Sequence, residues 1–345
     1  MSTIKRLLPL LLLFALTACS PAPEPRTIEG NIFGTFFEVT IGAQHGDADI
    51  DALQVGVNEV LAEVDRQMST YRQDSVLNRL NQARLNEPVV VEDELFFVLQ
   101  RSEAIAQQSG GAFDHTVGGL VSLWGFGPEA AITRRPDQDE LLRRLDEVGY
   151  HFVILDADNN TAMRTSDVFV DLSGIAKGYG VDAVSAYLST QNIDNHLVNI
   201  GGDIYANGRR SDEQRWRIGI EAPNDQRQIL QYILPLENVA MVGSGDYRNY
   251  FEEDGVRYSH TIDPTTGAPI THHLAAVTVL ADNTTDADGY ASAIMVLGPE
   301  RGLQFANQHK IAAILTIRED DGYSSIESKV FSREFAEQMT VPRVR

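Results

Sequence analysis

A single cysteine in 345 residues is the strongest constraint on what this chain can fold into. Without a second thiol there is no internal disulfide, so the fold must be held by a packed apolar core. The material for one is present, since 43% of the chain is hydrophobic, as is ordinary for a globular protein. The length suits one large domain or two small ones.

Periodicity shows how that core is assembled. Residues 35–41 (TFFEVTI) read as a strand. Apolar residues recur at helical spacing over 50–68 (Leu53, Val57, Val60 and Leu61, Val64) and over 92–108, where Gly110-Gly111 stop the helix. Residues 136–148 read as a surface helix with Leu141, Leu142 and Leu145 inward, and 175–188 as another helix. Helical spacing over 288–297 is stopped by Gly298-Pro299. Short β-rich runs fall at 152–155, 168–172, 197–200, 239–242, 276–280 and 312–317. Helices and strands interleave, which leaves α+β and α/β both open.

The lone cysteine is Cys19, and its neighbours give it a purpose. Lys5 and Arg6 precede Leu7 to Leu16, an apolar stretch broken by Pro9. A bilayer span needs ~20 apolar residues, so this stretch reads as the h-region of a secretory leader. It ends in Leu16-Thr17-Ala18-Cys19, which is similar to a bacterial lipobox; the alternative is an ordinary leader with an incidental cysteine. The expected organisation is a leader at 1–18, a proline-rich tether at 19–29 beginning with acylated (palmitate-bearing) Cys19, and one globular unit at 30–345. Net charge is −21 over the chain and −23 once Lys5 and Arg6 are removed. Such a surface excludes nucleic acid as a partner. It also repels a polyanionic small molecule unless a metal ion or local donors offset the field.

Phosphate loops of the G-x-x-x-x-G-K-[ST] kind, G-x-G-x-x-G, H-E-x-x-H and G-x-S-x-G are all absent from the sequence. Instead, polar glycine-rich segments stand at element ends: 110–114 (GGAFD), 171–178 (DLSGIAKG), 260–267 (HTIDPTTG) and 282–292. In each, glycine permits close backbone approach while Asp, Lys or His supplies a directed charge. Each also has a plain structural reading. Asp171 could be an N-cap, residues 263–267 a turn, and Gly201-Gly202-Asp203, which after a strand could also suggest nucleotide binding, a tight turn needing positive φ.

Together and in order, these segments resemble the ApbE family, the FAD:protein FMN transferases. The lipobox, Phe33-Gly34-Thr35, Met68-Ser69-Thr70-Tyr71 before Ser75-Val76-Leu77, GGAFD with Leu123-Trp124-Gly125-Phe126-Gly127, and DLSGIAKG all carry the likeness. Asn199-Ile200-Gly201-Gly202-Asp203, Ser244-Gly245-Asp246-Tyr247, HTIDPTTG and the Asp288 helix complete it.

The resemblance implies an α+β, T-fold-like, two-lobed single domain with FAD in the inter-lobe cleft. It places flavin and adenosine contacts at Phe33, Tyr71, Ala112, Phe113, Asp114, Asp171, Lys177 and Leu274; for Phe33 and Tyr71 core packing is the alternative. It places a Mg²⁺ site at the Gly174 carbonyl, Asp288 and Ser292, oxygen ligands suited to that ion. Two positions depart from the family's usual residues, Phe33 standing for Met and Ser292 for Thr. Asp288 could instead be a helix residue favoured by the dipole. His260 is the candidate for proton transfer, with loop positioning as its other reading, and His272 and His273 read as surface residues.

The implied reaction is Mg²⁺-dependent transfer of FMN from FAD to a Ser or Thr hydroxyl of an acceptor, with release of AMP. The implied acceptors are subunits of membrane electron-transfer complexes of the sodium-pumping NADH:quinone reductase type. The implied location is the periplasmic side of the inner membrane. A metal-dependent FAD pyrophosphatase and a non-catalytic flavin-binding lipoprotein are the competing readings.

Overall fold

A computed structural model of the chain describes residues 24–128, 135–223, 229–246 and 249–341. The expected leader, Cys19 and Tyr247 lie outside the described residues.

The chain enters through a hairpin of β1 (Arg26–Ile32) and β2 (Thr35–Ile41). Its two-residue turn, Phe33-Gly34, has φ of 52° and 75°, a geometry in which Asn or Gly is the usual first residue. The last residues of the expected tether, from Arg26 on, are therefore already part of a sheet. Next come α1 (Ile50–Met68), α2 (Val76–Gln82), β3 (Val89–Val90), α3 (Asp93–Ser109), α4 (Gly118–Leu123) and α5 (Gln138–Leu145). β4 (Val153–Asp156), β5 (Thr161–Arg164), α6 (Ala176–Thr190), β6 (His196–Ile200) and β7 (Asp203–Asn207) follow. Then the chain forms β8 (Trp216–Ala222), β9 (Ile229–Leu236), β10 (Val239–Gly245), β11 (Tyr250–Glu253) and β12 (Val256–Ser259). It closes with β13 (Leu274–Ala281), α7 (Thr284–Gln308), β14 (Ala312–Glu319), β15 (Gly322–Glu327) and α8 (Lys329–Glu334).

Eight strands make one antiparallel sheet in the order β1-β2-β6-β7-β10-β13-β14-β15. Alternation along each strand divides its side chains between two cores. Val242 and Val279 join the core under the helices, while their neighbours Met241 and Leu280 join the opposite one. On the helical side, Leu53, Val57, Leu61 and Val64 of α1 are buried at helical spacing, each contributing about 1.5–3 kcal/mol of burial. On the other side Trp216, Ile218 and Leu234 of the β8–β9 hairpin and Phe331 of α8 cover the sheet. A smaller sheet, β3-β5-β4, lies beside α2 and α3. A satellite cluster joins Leu120 and Trp124 to Leu141, Phe251 and Tyr258. Purely antiparallel pairing in the main sheet, with its long helices on one face, makes the class α+β.

Several expectations need correction. Residues 168–172 form no strand; Phe169 makes a single isolated bridge to Val117. Leu142 is exposed, whereas Leu141 and Leu145 turn inward over Gly267. The helix expected from 288 starts at Thr284, capped by Asn283, whose side chain accepts from Asp286 N at 2.8 Å. Its first segment stops at Gly298, non-helical at φ 77°, as Gly298-Pro299 led one to expect, and a second helical segment follows directly across the kink. His272 is half-buried against the kink, so that a Cβ on Gly298 would fall 2.8 Å from its ring; His273 is exposed as expected.

Candidate active site

α6 and α7 cap one another. α6 has no side-chain cap of its own, and its first-turn amide, Gly178 N, donates to Asp288 Oδ2 of α7 at 3.0 Å. In return Asp182 of α6 accepts from Thr284 N and Thr285 N, both at 2.8 Å, at the start of α7. Orphan amides at two helix N-termini are thus satisfied by carboxylates of the partner helix. Glycine is required at 178, because a Cβ there would lie 2.8 Å from Asp288 Cβ and closer still to the Thr284 carbonyl.

This crossing forms one wall of a cleft of about 770 Å³, within the range of small-molecule sites. Lys177, one residue from Gly178, pairs with Asp203 at the start of β7. Burial opposes charge on Lys177, but Asp203 and Asp288 outweigh it and hold its pKa above the ordinary value. Burial likewise pushes both carboxyls up, with Lys177 pulling against it. Two buried acids face one ammonium, an excess of negative charge that a cation would offset.

The oxygens such a cation would use are adjacent. Ser292 Oγ lies one turn beyond Asp288 and donates to the Gly174 carbonyl at 3.2 Å. All three residues line the cleft. Among the described residues no three His, Cys, Asp or Glu side chains cluster as a metal site. A cation here would therefore rely on carbonyl, hydroxyl and a single carboxylate, a hard-oxygen set that fits Mg²⁺ completed by water or phosphate.

The GGAFD segment adjoins this wall, Phe113 lying so close to Gly174 that a Cβ there would fall 3.2 Å from its ring. α3 ends in a Schellman turn, with Gly110 N donating to Gln107 O (3.3 Å) and Gly111 N to Ala106 O (2.8 Å), and Gly110 at φ 64°. That turn delivers Ala112 and Phe113 to the cleft. Asp114 also lines it, but its carboxylate is committed to the loop: Oδ1 accepts from Thr116 N (2.8 Å) and Oγ1 (2.6 Å), and Oδ2 from Tyr150 N (2.9 Å). Asp171 accepts from Ser173 N at 2.8 Å, and burial raises its carboxyl pKa. Tyr71, 68% exposed, is not a core residue.

His260 stands on the cleft wall with Nδ1 3.1 Å from the Asn249 carbonyl. That partner can only accept, so Nδ1 carries the proton and Nε2 keeps its lone pair. Burial holds the imidazole below its ordinary pKa, against the Asn249 carbonyl and Asp246.

Three of the expected contacts do not line the cleft. Leu274 is wholly buried in the core, the Phe33 ring packs on α6, where a Cβ at Gly180 would fall 2.9 Å from it, and Tyr71 is exposed. Reading the sequence alone missed Asp203 as the counter-ion of Lys177, although Gly201-Gly202-Asp203 stood out. The glycines form the β6–β7 hairpin turn with φ of 58° and 100°, and Asn199 Oδ1 accepts from Gly202 N at 2.9 Å. Only strand pairing brings Asp203 to Lys177.

The chain is similar to known proteins over nearly its whole length. The model of the ApbE family matches residues 33–315. The FAD:protein FMN transferase of Vibrio cholerae serotype O1 is 41% identical over 319 residues, covering 92% of this chain and 95% of that protein. The protein of the same name from Haemophilus influenzae is 38% identical over 328 residues, covering 92% and 94%. Among solved structures, the flavin transferase ApbE from Vibrio cholerae superposes with a TM-score of 0.83 at 41% identity, covering 90% of this chain and 99% of that one. The apo flavinyl transferase ApbE of Pseudomonas stutzeri superposes at 0.82 with 36% identity, covering 90% and 96%. By sequence and by fold, this chain belongs to the ApbE family.

Proposed function

We propose that this protein is a Mg²⁺-dependent FAD:protein FMN transferase, moving FMN from FAD to a Ser or Thr hydroxyl of an acceptor protein. The observation that carries the reading is the convergence of Gly174, Asp288, Ser292 and Lys177 on one wall of a cleft that His260 also lines. In the reaction the acceptor hydroxyl oxygen bonds to the phosphorus on the riboflavin side. The bond from that phosphorus to the bridging oxygen breaks, and AMP leaves with the oxygen.

Within this scheme His260, neutral and protonated on Nδ1, takes the hydroxyl proton at Nε2. Lys177 offers its ammonium to phosphate oxygens while Asp203 fixes its position. Gly174, Ser292 and Asp288 would hold the metal, which when bound supplies positive charge to the pyrophosphate. Ala112 and Phe113 present a backbone edge and a ring to the flavin, and the exposed Tyr71 offers a second aromatic face. Asp114 and Asp171 keep these loops in shape.

The proposed acceptors are periplasm-facing subunits of sodium-pumping NADH:quinone reductase or related complexes. The anchor is a lipid on Cys19, holding the domain to the inner membrane from the periplasmic side. The lipobox-like run ending at Cys19 and the tether before β1 support this.

Incubating the protein with FAD, Mg²⁺ and such an acceptor subunit tests the reading by mass spectrometry. The expected outcome is an acceptor carrying FMN, stoichiometric AMP, and no transfer in excess EDTA. Asp288→Asn, which keeps an acceptor for Gly178 N, should stay folded yet need far more Mg²⁺. Release of free FMN with an unmodified acceptor would instead identify a pyrophosphatase, and no turnover at all a flavin-binding protein.

A further inference from the structure

The LWGFG run, 123–127, takes no part in the scheme above, yet its backbone is tightly specified. α4 ends in a Schellman turn: Gly125 N donates to Ser122 O and Phe126 N to Val121 O, each at 3.0 Å, with Gly125 at φ 83°. A left-handed residue is needed there, which explains a glycine between two aromatics. Phe126 and Val121 belong to the same apolar cluster, as the contact across such a turn requires.

The two aromatics reach the HTIDPTTG segment at two points. Trp124, buried, donates Nε1 to the Gly267 carbonyl at 2.8 Å. Phe126 stacks on Phe251 (5.8 Å, 29°) and meets the His260 ring at 6.3 Å and 71°, an edge contact. Phe251 in turn stacks on Tyr258 at 5.1 Å, and Tyr258 on Trp124 at 5.5 Å. Phe126 is therefore backed by a packed stack and is not free to drift.

Among the described residues the His260 ring makes one hydrogen bond, Nδ1 to the Asn249 carbonyl. One hydrogen bond fixes one atom and leaves the imidazole able to pivot about it. Aiming Nε2 needs a second contact off that axis, and the Phe126 ring supplies it. We infer that Phe126 is the positioning residue for His260, holding the plane of its imidazole so that Nε2 faces the acceptor hydroxyl. The inference rests on reading His260 as the base.

The test is a double-mutant cycle between position 126 and His260, read as kcat for FMN transfer, FAD affinity from flavin fluorescence, and melting temperature. Phe126→Leu fills the space without a ring, and Phe126→Tyr keeps the ring. Phe126→Leu is expected to lower kcat by about 10- to 100-fold, the scale of a small misplacement of a reacting group. FAD affinity and melting temperature should hold, and Phe126→Tyr should retain most of the rate. In a His260→Ala background Phe126→Leu should cost nothing further. An equal loss in both backgrounds, a loss carried by FAD affinity or melting temperature, or an unchanged kcat in Phe126→Leu would overturn the inference while leaving the base role of His260 standing. A wild-type rate in His260→Ala alone would overturn that base role and the inference with it.

Discussion

At the scale of single residues, buried polar groups divide into those that hold the fold and those that face the cleft. His196 belongs to the first kind. It is fully buried, with Nδ1 2.6 Å from the Ile193 carbonyl and Nε2 2.8 Å from Ser185 Oγ. A neutral ring satisfies both partners, and burial pushes its pKa down from 6.5 to about 4. The unfolded chain binds the proton more readily, so the stability from His196 is complete above about 6.5 and is lost as pH falls toward about 4. The raised carboxyls of Asp171, Asp182, Asp203 and Asp288 act the other way, favouring the folded state at lower pH. Comparison with a variant isolates the histidine. His196→Gln should be less stable at pH 7 but lose less over that window, the two melting curves converging by on the order of 1–3 kcal/mol. Parallel pH dependence in thermal melts of the two proteins would rule this out.

At the scale of elements, the decisive feature is the crossing of α6 and α7, because it carries Lys177, Asp288 and Ser292 on one wall. Its closeness depends on Gly178, and a side chain there forces the helices apart. Gly178→Ala is expected to cost about 1–3 kcal/mol, the usual scale of overpacking. It should also raise the Mg²⁺ concentration needed for half-maximal FMN transfer, since Asp288 would move relative to Gly174. A melting curve and a Mg²⁺ titration on one preparation check both, and a destabilised variant with unchanged Mg²⁺ dependence would show that the crossing does not set the site. The kink at Gly298 is the complementary device. It lets α7 end its first segment beside His272 and resume after Pro299, so one helix both lines the cleft and packs under the sheet.

At the scale of the whole molecule, a net charge of −21 makes binding of a dinucleotide unfavourable everywhere except where positive charge is concentrated. The cleft answers this with Lys177 and oxygens suited to a cation. Among the described residues no helix is long and apolar enough to cross a membrane. The main sheet begins at the edge strand β1, Arg26–Ile32. On the proposed anchoring through Cys19, Cys19→Ser should leave the membrane fraction while FMN transfer in solution is unchanged. Normal fractionation of that variant would refute the lipid anchor.

The sequence by itself determined the local features. Helical spacing marked α1 to the residue and α3 within one at each end, and the paired glycines marked the stop of α3 and the β6–β7 turn, because periodicity and positive φ act over a few neighbours. The order of its polar segments pointed to the family. Tertiary structure decided what those features do. It left residues 168–172 with one isolated bridge in place of a strand and exposed Leu142. It buried Leu274 in the core, laid Phe33 half-buried against α6, tied Lys177 to Asp203 and set Phe126 against His260. Each of these depends on which distant segment lies opposite, through strand pairing, helix crossing or an aromatic stack. Spacing along a chain does not specify such contacts; only the packed core does.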